Sequence, residues 1–180
     1  AIRLIGTLTD ISAQIDREQE LRHQAQQDPL TDVYNRAGVK LINARLEQIS
    51  RGILFMLDLD DFKFINDTYG HAAGDKVLVA MGQILKDIFR TDDIVARVGG
   101  DEFVAFLSGS DNASMAQEKA QELLDRVREL KLEGIDTQIS VSIGIASAPT
   151  YGRTFESLSA SADEAMYEIK NGGKGGFALR

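Results

Sequence analysis

Val98-Gly99-Gly100-Asp101-Glu102-Phe103 is the stretch around which this chain is organised. Upstream, Ile94-Val95-Ala96-Arg97-Val98 is β-prone and largely apolar, and downstream Phe103-Val104-Ala105-Phe106-Leu107 is another such run. Two runs of this kind joined by a few residues with paired glycines predict a β-hairpin. Glycine accepts φ > 0 and lets a ligand approach the backbone closely. The tip then carries two adjacent carboxylates, Asp101 and Glu102, which a merely structural turn does not require. Gly-Gly-Asp by itself would equally suit a solvated turn. A second acidic cluster shifts the balance. Ile53-Leu54-Phe55-Met56-Leu57 is continuously apolar, as a buried central strand is, and it ends in Asp58-Leu59-Asp60-Asp61. Strand alternation places Asp58 and Asp60 on one face. A strand and a hairpin that both end in carboxylates would make a hard-cation site suited to Mg2+ and phosphate chemistry.

Composition bounds the rest. The 180 residues support one domain of ordinary size with a short appendage, and 43% hydrophobic with 27% charged residues describes a soluble globular protein. No apolar run approaches the ~20 residues of a membrane-spanning helix, and the start lacks a signal-peptide pattern. With no cysteine, a disulfide framework and thiolate metal sites are excluded. A net charge of −8 argues against a nucleic-acid polymer as partner. A small anionic substrate stays compatible, because a divalent cation and a few placed lysines offset charge locally.

Along the chain, residues 2–11 begin with a strand-like run and end in Asp10-Ile11-Ser12. This resembles the closing strand and exit of a PAS sensor domain, so residues 1–11 are expected to be the tail of a truncated upstream module; an unstructured leader is the alternative. Residues 12–27 lack Gly and Pro and are rich in Gln, Glu and Arg, which predicts a helical signalling linker with weak heptad character. Asp28-Pro29 marks a boundary. Helices are expected over about 36–49, from Asp75 to about Ile88, over about 112–130 and over 155–170, with a polar segment at 61–74 and a strand at 139–145. The order β-α-β-β-α-β is the ferredoxin-like plan: an α+β fold with a central antiparallel sheet flanked by helices, here preceded by the linker helix. Such a fold by itself proves no function.

Several separate motifs carry a family resemblance. They are Asp28-Pro29-Leu30-Thr31 with Asn35-Arg36, Leu57-Asp58-Leu59-Asp60-Asp61-Phe62-Lys63, Asn66-Asp67-Thr68-Tyr69-Gly70-His71, and Gly74-Asp75. The hairpin follows, then Val141-Ser142-Ile143-Gly144 and Ala165-Met166-Tyr167 with Lys170. In order and at this spacing, they identify residues 28–180 as resembling the GGDEF diguanylate cyclases, which adopt a nucleotidyl cyclase version of the ferredoxin-like fold. The resemblance implies condensation of two GTP into cyclic di-GMP and two pyrophosphates, by 3′-hydroxyl attack on the α-phosphate across a two-fold homodimer. It also implies a bacterial signalling enzyme controlled by an upstream sensor domain in the same chain. The domain itself is expected in the cytoplasm, with any membrane attachment made through regions outside this sequence.

The same resemblance assigns residues. Asp58 and Asp101 would bind Mg2+ (or Mn2+) through their side chains and Leu59 through its carbonyl, with Glu102 as a supporting ligand. Asp101 is also the matched general base. Lys63 would contact phosphates and stabilise charge in the transition state; standing alone it would be a solvated lysine. Asn66 and Asp75 match the guanine readers, although an N-cap role for Asp75 could coexist. His71 is expected near the base without a catalytic role. Lys170 and Lys174 match a phosphate-binding basic pair in which the second position is often Arg. Gly172-Gly173-Lys174-Gly175-Gly176 lacks the leading strand and Lys-Ser/Thr ending of a phosphate loop, so it reads as a helix stop with a flexible tail. Asp32 stands where relatives usually place Gly, which puts the local turn in question. Arg90-Thr91-Asp92-Asp93 lies five residues before Gly99, the spacing of the family's RxxD inhibitory site, so Arg90 and Asp93 would bind the product cyclic di-GMP as feedback inhibitor; a solvated helix end is the plainer reading. A non-catalytic GTP- or cyclic di-GMP-binding module is the main alternative function, and a cyclase making a 3′,5′-cyclic mononucleotide is another.

Overall fold

The computed structural model describes residues 25–180. The two runs flanking the diglycine pair as a hairpin, β2 (Ile94–Arg97) with β3 (Glu102–Ser108), from Ile94 opposite Phe106 to Arg97 opposite Phe103. The apolar run upstream is the central strand β1 (Gly52–Leu59), antiparallel to β3 on one side and to β4 (Val141–Ala148) on the other. A short fifth strand, β5 (Phe177–Leu179), completes the order β2-β3-β1-β4-β5. The first four strands reproduce the ferredoxin-like antiparallel sheet. β5 departs from it, because it runs parallel to β4.

Among the described residues five helices cover the sheet: α1 (Gly38–Gln48), α2 (Phe62–Tyr69), α3 (His71–Ile88), α4 (Ala113–Arg128) and α5 (Phe155–Gly172). Alternation along β1 explains the layering. Ile53, Phe55, Leu57 and Leu59 face the core formed with α3 and α4, while Leu54 and Met56 face α1 and α5. Asp58 falls on the second face. That places it under α5. Gly144 allows the close approach there, since a Cβ at this position would collide with the Ala162 carbonyl of α5. Side chains cap the two later helices. Asn112 accepts from the Ser114 and Met115 amides at the start of α4, and Thr154 with Ser157 forms a capping box at the start of α5.

Four expectations need correction. The polar segment 61–74 contains helix α2, because Asp61 takes a left-handed φ of 54° that turns the chain and buries Ile65, with Phe62 and Tyr69 half-buried against the same core. α3 begins at His71, not at Asp75, since Gly70 (φ 85°) makes the bend. Asp75 therefore sits one turn inside the helix, exposed, and caps nothing at its start. The tail after α5 is not loose. The helix stops at Gly173 as expected, but the chain returns to the sheet as β5, and Arg180 pairs with Glu168 of α5. The strand expected at 139–145 is shifted to 141–148 because it follows β1 to its first residue, Ala148 opposite Gly52. The expectations for residues 1–11 and for 12–24 of the linker helix lie outside the described residues; Ala25 and Gln26 are helical. No described helix is long and apolar enough to cross a membrane.

Candidate active site

The C-terminal end of β1 and the hairpin meet at one edge of the sheet. Asp58 is opposite Glu102 in the β1–β3 register, and the Leu59 amide donates to the Asp101 carbonyl at 3.4 Å. Asp101 is half-buried next to Asp58. Burial, and then the neighbouring Asp58 charge, push its carboxyl above the usual carboxylate range. Lys170, reaching down from α5, places its Nζ 2.8 Å from Asp58 Oδ1. Two carboxylates on fixed backbone thus share one lysine cation. Lys174 makes a similar contact with Asp61 at 2.6 Å, which raises the lysine pKa. Lys174 has a φ of 64°, so the backbone turn after α5, rather than the helix itself, presents its side chain.

These residues fit a divalent cation. Two carboxylates beside backbone oxygens suit Mg2+, which keeps several waters and takes further ligands from phosphates. Among the described residues no group of three His, Cys, Asp or Glu side chains gathers as a ready-made cage. Glu102 is exposed, with its carboxylate lying over Gly99.

The expected base and phosphate contacts lie on the α2–α3 corner. Lys63 is exposed, one turn before Asn66 on α2, so the two share a helix face. The Asn66 side chain lies against the Gly74 backbone so closely that any Cβ there would overlap its Oδ1. Gly74 thereby makes Asn66 and Asp75 neighbours. His71 opens α3 and is exposed.

Two residues important to the site depart from the sequence reading: Arg97 carried no assignment, and Asp60 was expected on one face with Asp58. Arg97, the last residue of β2, donates from Nε and Nη2 to the Gly100 carbonyl at 3.0 and 2.7 Å. Its Nη1 reaches Asp28 Oδ1 at 3.2 Å. Asp28 also accepts from the Thr31 amide at 2.9 Å and the Thr31 hydroxyl at 2.7 Å. Burial opposes its charge, but Thr31 and Arg97 outweigh this and hold its carboxyl below the usual range. The Asp28-Pro29-Leu30-Thr31 motif is thus a buttress: it fixes the arginine that fixes the hairpin tip. Asn35 ties the same turn to the preceding helical residues, donating from Nδ2 to the Ala25 carbonyl at 2.9 Å. The only signal for Arg97 in the sequence was its place directly before the hairpin turn.

Asp60 is the second. It is 6% exposed and accepts from the Ser140 and Ser142 hydroxyls, each at 2.7 Å, and from the Gly175 amide at 3.0 Å. It fastens β4 and the returning tail to the end of β1. It does not join Asp58 at the cation site.

The expected inhibitory pair is split by burial. Arg90 is exposed, whereas Asp93 is 8% exposed and accepts from the Arg90 amide at 3.0 Å and the Ser108 amide at 3.1 Å. Asp93 is therefore not a solvated turn residue; it pins the loop before β2 to the end of β3. Both residues line a cavity of about 320 Å³ with Asp32, Tyr34, Lys86 and Phe89.

An antiparallel ferredoxin-like sheet whose central strand and neighbouring hairpin end in paired carboxylates, backed by a lysine, defines a domain of the nucleotidyl cyclase class. The family model described as "Diguanylate cyclase, GGDEF domain" matches residues 25–176, and the chain belongs to this family of cyclic di-GMP signalling proteins. It is 37% identical over 170 residues to the bifunctional diguanylate cyclase/cyclic di-GMP phosphodiesterase MucR of Pseudomonas aeruginosa, covering 89% of this chain and 24% of that protein. It is 37% identical over 176 residues to the diguanylate cyclase TpbB of the same organism, covering 91% of this chain and 39% of that one. Among solved structures, the coiled coil and GGDEF domain of DgcB from Caulobacter crescentus, in complex with c-di-GMP, superposes with a TM-score of 0.82 at 27% identity, covering 94% of this chain and 95% of that one. The chain spans well under half the length of the two curated relatives.

Proposed function

We propose that this domain condenses two GTP molecules into cyclic di-GMP and two pyrophosphates. The observation that carries the reading is the Asp58–Asp101 pair: both hairpin carboxylates are present, and Asp101 is held beside Asp58 with Lys170 as counter-charge. In each half-reaction a ribose 3′-oxygen forms a bond to the α-phosphorus of the other GTP. The bond from that phosphorus to the bridging oxygen breaks, and pyrophosphate leaves with the electron pair. Asp101 takes the hydroxyl proton. Mg2+, or Mn2+, held by Asp58, Asp101 and the Leu59 carbonyl with Glu102 in support, would supply charge neutralisation to the triphosphate and acidity to a coordinated hydroxyl.

Lys63, Lys170 and Lys174 bind the phosphates, the last two exchanging Asp58 and Asp61 for substrate oxygens. Asn66 and Asp75 read guanine, whose N1–H and exocyclic amine a carboxylate can accept together. One site holds one GTP while the product contains two guanylyl units, so two domains must face each other with two-fold symmetry. Arg90 and the cavity above Asp93 take the product as feedback inhibitor. Control comes from a sensor module upstream in the full-length chain, of which residues 1–11 are the tail and 12–27 the linker, and the domain works in the cytoplasm, where GTP is.

Product analysis from GTP with Mg2+ tests the reading. Cyclic di-GMP and pyrophosphate are expected, with specific activity that rises with protein concentration. A 3′,5′-cyclic mononucleotide would reassign the reaction, and GTP bound but unchanged would make the domain a binding module.

A further inference from the structure

The Arg90 cavity carries an ion pair that the inhibitory reading leaves unused. It is bounded by the turn at 27–34, the end of α3 and the start of β2. Its volume of about 320 Å³ is within the range of small-molecule sites, roughly 300–1,000 Å³. Tyr34 and Phe89 give it an apolar wall able to take a flat base. Its charged lining consists of Lys86 and Arg90 against Asp32 and Asp93. The four charges sum to zero, which is a poor starting point for a dianionic ligand. The two acids are not equivalent, however. Asp93 is buried and its carboxylate is occupied by the backbone amides of Arg90 and Ser108. Asp32 instead reaches across to Lys86, Oδ2 to Nζ at 2.8 Å, with side chains 71% and 34% exposed. An ion pair this exposed contributes little to stability and exchanges partners readily.

We propose that Lys86 is a further anion-binding group of this cavity and that Asp32 is its internal competitor, weakening the hold on a cyclic dinucleotide's phosphodiesters by occupying the ammonium. This rests on the reading of the cavity as the product site. Asp32 adopts a left-handed φ of 55°, a conformation that Asn also tolerates. Replacing Asp32 by Asn therefore removes the charge and leaves the turn intact. Neither Asp32 nor Lys86 touches the catalytic carboxylates.

The experiment is calorimetric titration of cyclic di-GMP into wild type, Asp32→Asn, Lys86→Gln and Arg90→Ala. Each is measured at about 0.1 M and about 1 M salt, where the Debye length falls from about 10 to about 3 Å. Asp32→Asn should bind about three- to fivefold more tightly and Lys86→Gln about threefold or more weakly at the lower salt, the order expected for one exposed charge. Both differences should shrink at the higher salt. Wild-type affinity in both variants, with weakened binding in Arg90→Ala, would reduce Asp32–Lys86 to a surface ion pair and overturn the proposal while the cavity keeps its ligand. Absent binding by wild type, or unchanged binding in Arg90→Ala, would remove the product site itself, and the proposal with it.

Discussion

Asp58 and Asp60 stand two residues apart in one acidic run, yet the fold gives them opposite work. Asp60 accepts three hydrogen bonds, from Ser140, Ser142 and Gly175, and closes the seam between β1, β4 and the returning tail. Asp58 is turned toward a second carboxylate, Asp101, and its close cationic partner is the side chain of Lys170. A carboxylate surrounded by fixed donors is a structural tie. One placed beside a like charge and a long lysine side chain stores unfavourable electrostatics that a cation can relieve. The same distinction separates Asp93, engaged by two backbone amides, from Asp32, engaged by one exposed lysine. Donor type, more than position in the sequence, tells the two kinds of acid apart.

Substitutions at the two kinds of acid should therefore fail differently. Asp101→Asn should lower GTP turnover by about three orders of magnitude, the scale of losing a base together with a charge-stabilising group. Because it also removes the Asp58–Asp101 repulsion, the thermal midpoint of the metal-free protein should not fall. A clear loss of stability in this variant, seen by calorimetry, would erase the contrast with Asp60. Asp60→Ala should behave in the reverse manner. It leaves two hydroxyls and a half-buried amide without their acceptor, at a cost of about 3 kcal/mol, or a midpoint lower by roughly 6–12 °C. A midpoint unchanged in thermal melts would show that the seam does not depend on Asp60.

A smaller effect is expected one step away from the chemistry. Arg97→Lys keeps a positive charge but loses the planar fork that holds the Gly100 carbonyl and Asp28 together. Turnover should fall about tenfold, with GTP affinity retained, as a hairpin tip loosens around intact catalytic groups. Equal loss of both quantities would make Arg97 a substrate contact and not a brace. The smallest effect concerns acid. Asp28 is depressed in the folded state, so its contribution is complete above the unfolded value of about 3.9 and is lost as pH falls through the lower folded value. Chemical denaturation from pH 6 downward should show a slightly steeper acid loss in wild type than in Asp28→Asn. Superimposable curves would show that the Arg97–Asp28 contact is not coupled to folding.

Much of this was legible from local patterns. The hairpin, the central strand and the apolar faces of the helices follow from alternation and helical spacing, because each such signal is contained within a few neighbouring residues. The motif set was enough to point to the family and to name Asp58 and Asp101. Local patterns also misplaced some elements. Nothing in the Asp61–Gly74 composition announced α2, whose helix depends on burying Ile65 against a core built from distant strands. The three residues of β5 follow a glycine-rich stretch and are too few to announce a strand, and the tail is ordered by pairing with β4 and by the Gly175 amide on Asp60.

What the sequence by itself determined is the list of chemical groups and the periodicities that make each strand and helix. The division of labour among identical side chains was decided only by tertiary structure. Asp58, Asp60 and Asp61 differ in nothing but what long-range pairing puts opposite them: Lys170 from α5, two serines from around β4, and Lys174 from the turn beyond α5. Arg97 likewise becomes a brace only because the turn at Asp28, 69 residues earlier, folds against the end of β2. A carboxylate's role is set by the charges and donors within a few ångströms, and those come from segments that only the closed fold brings together.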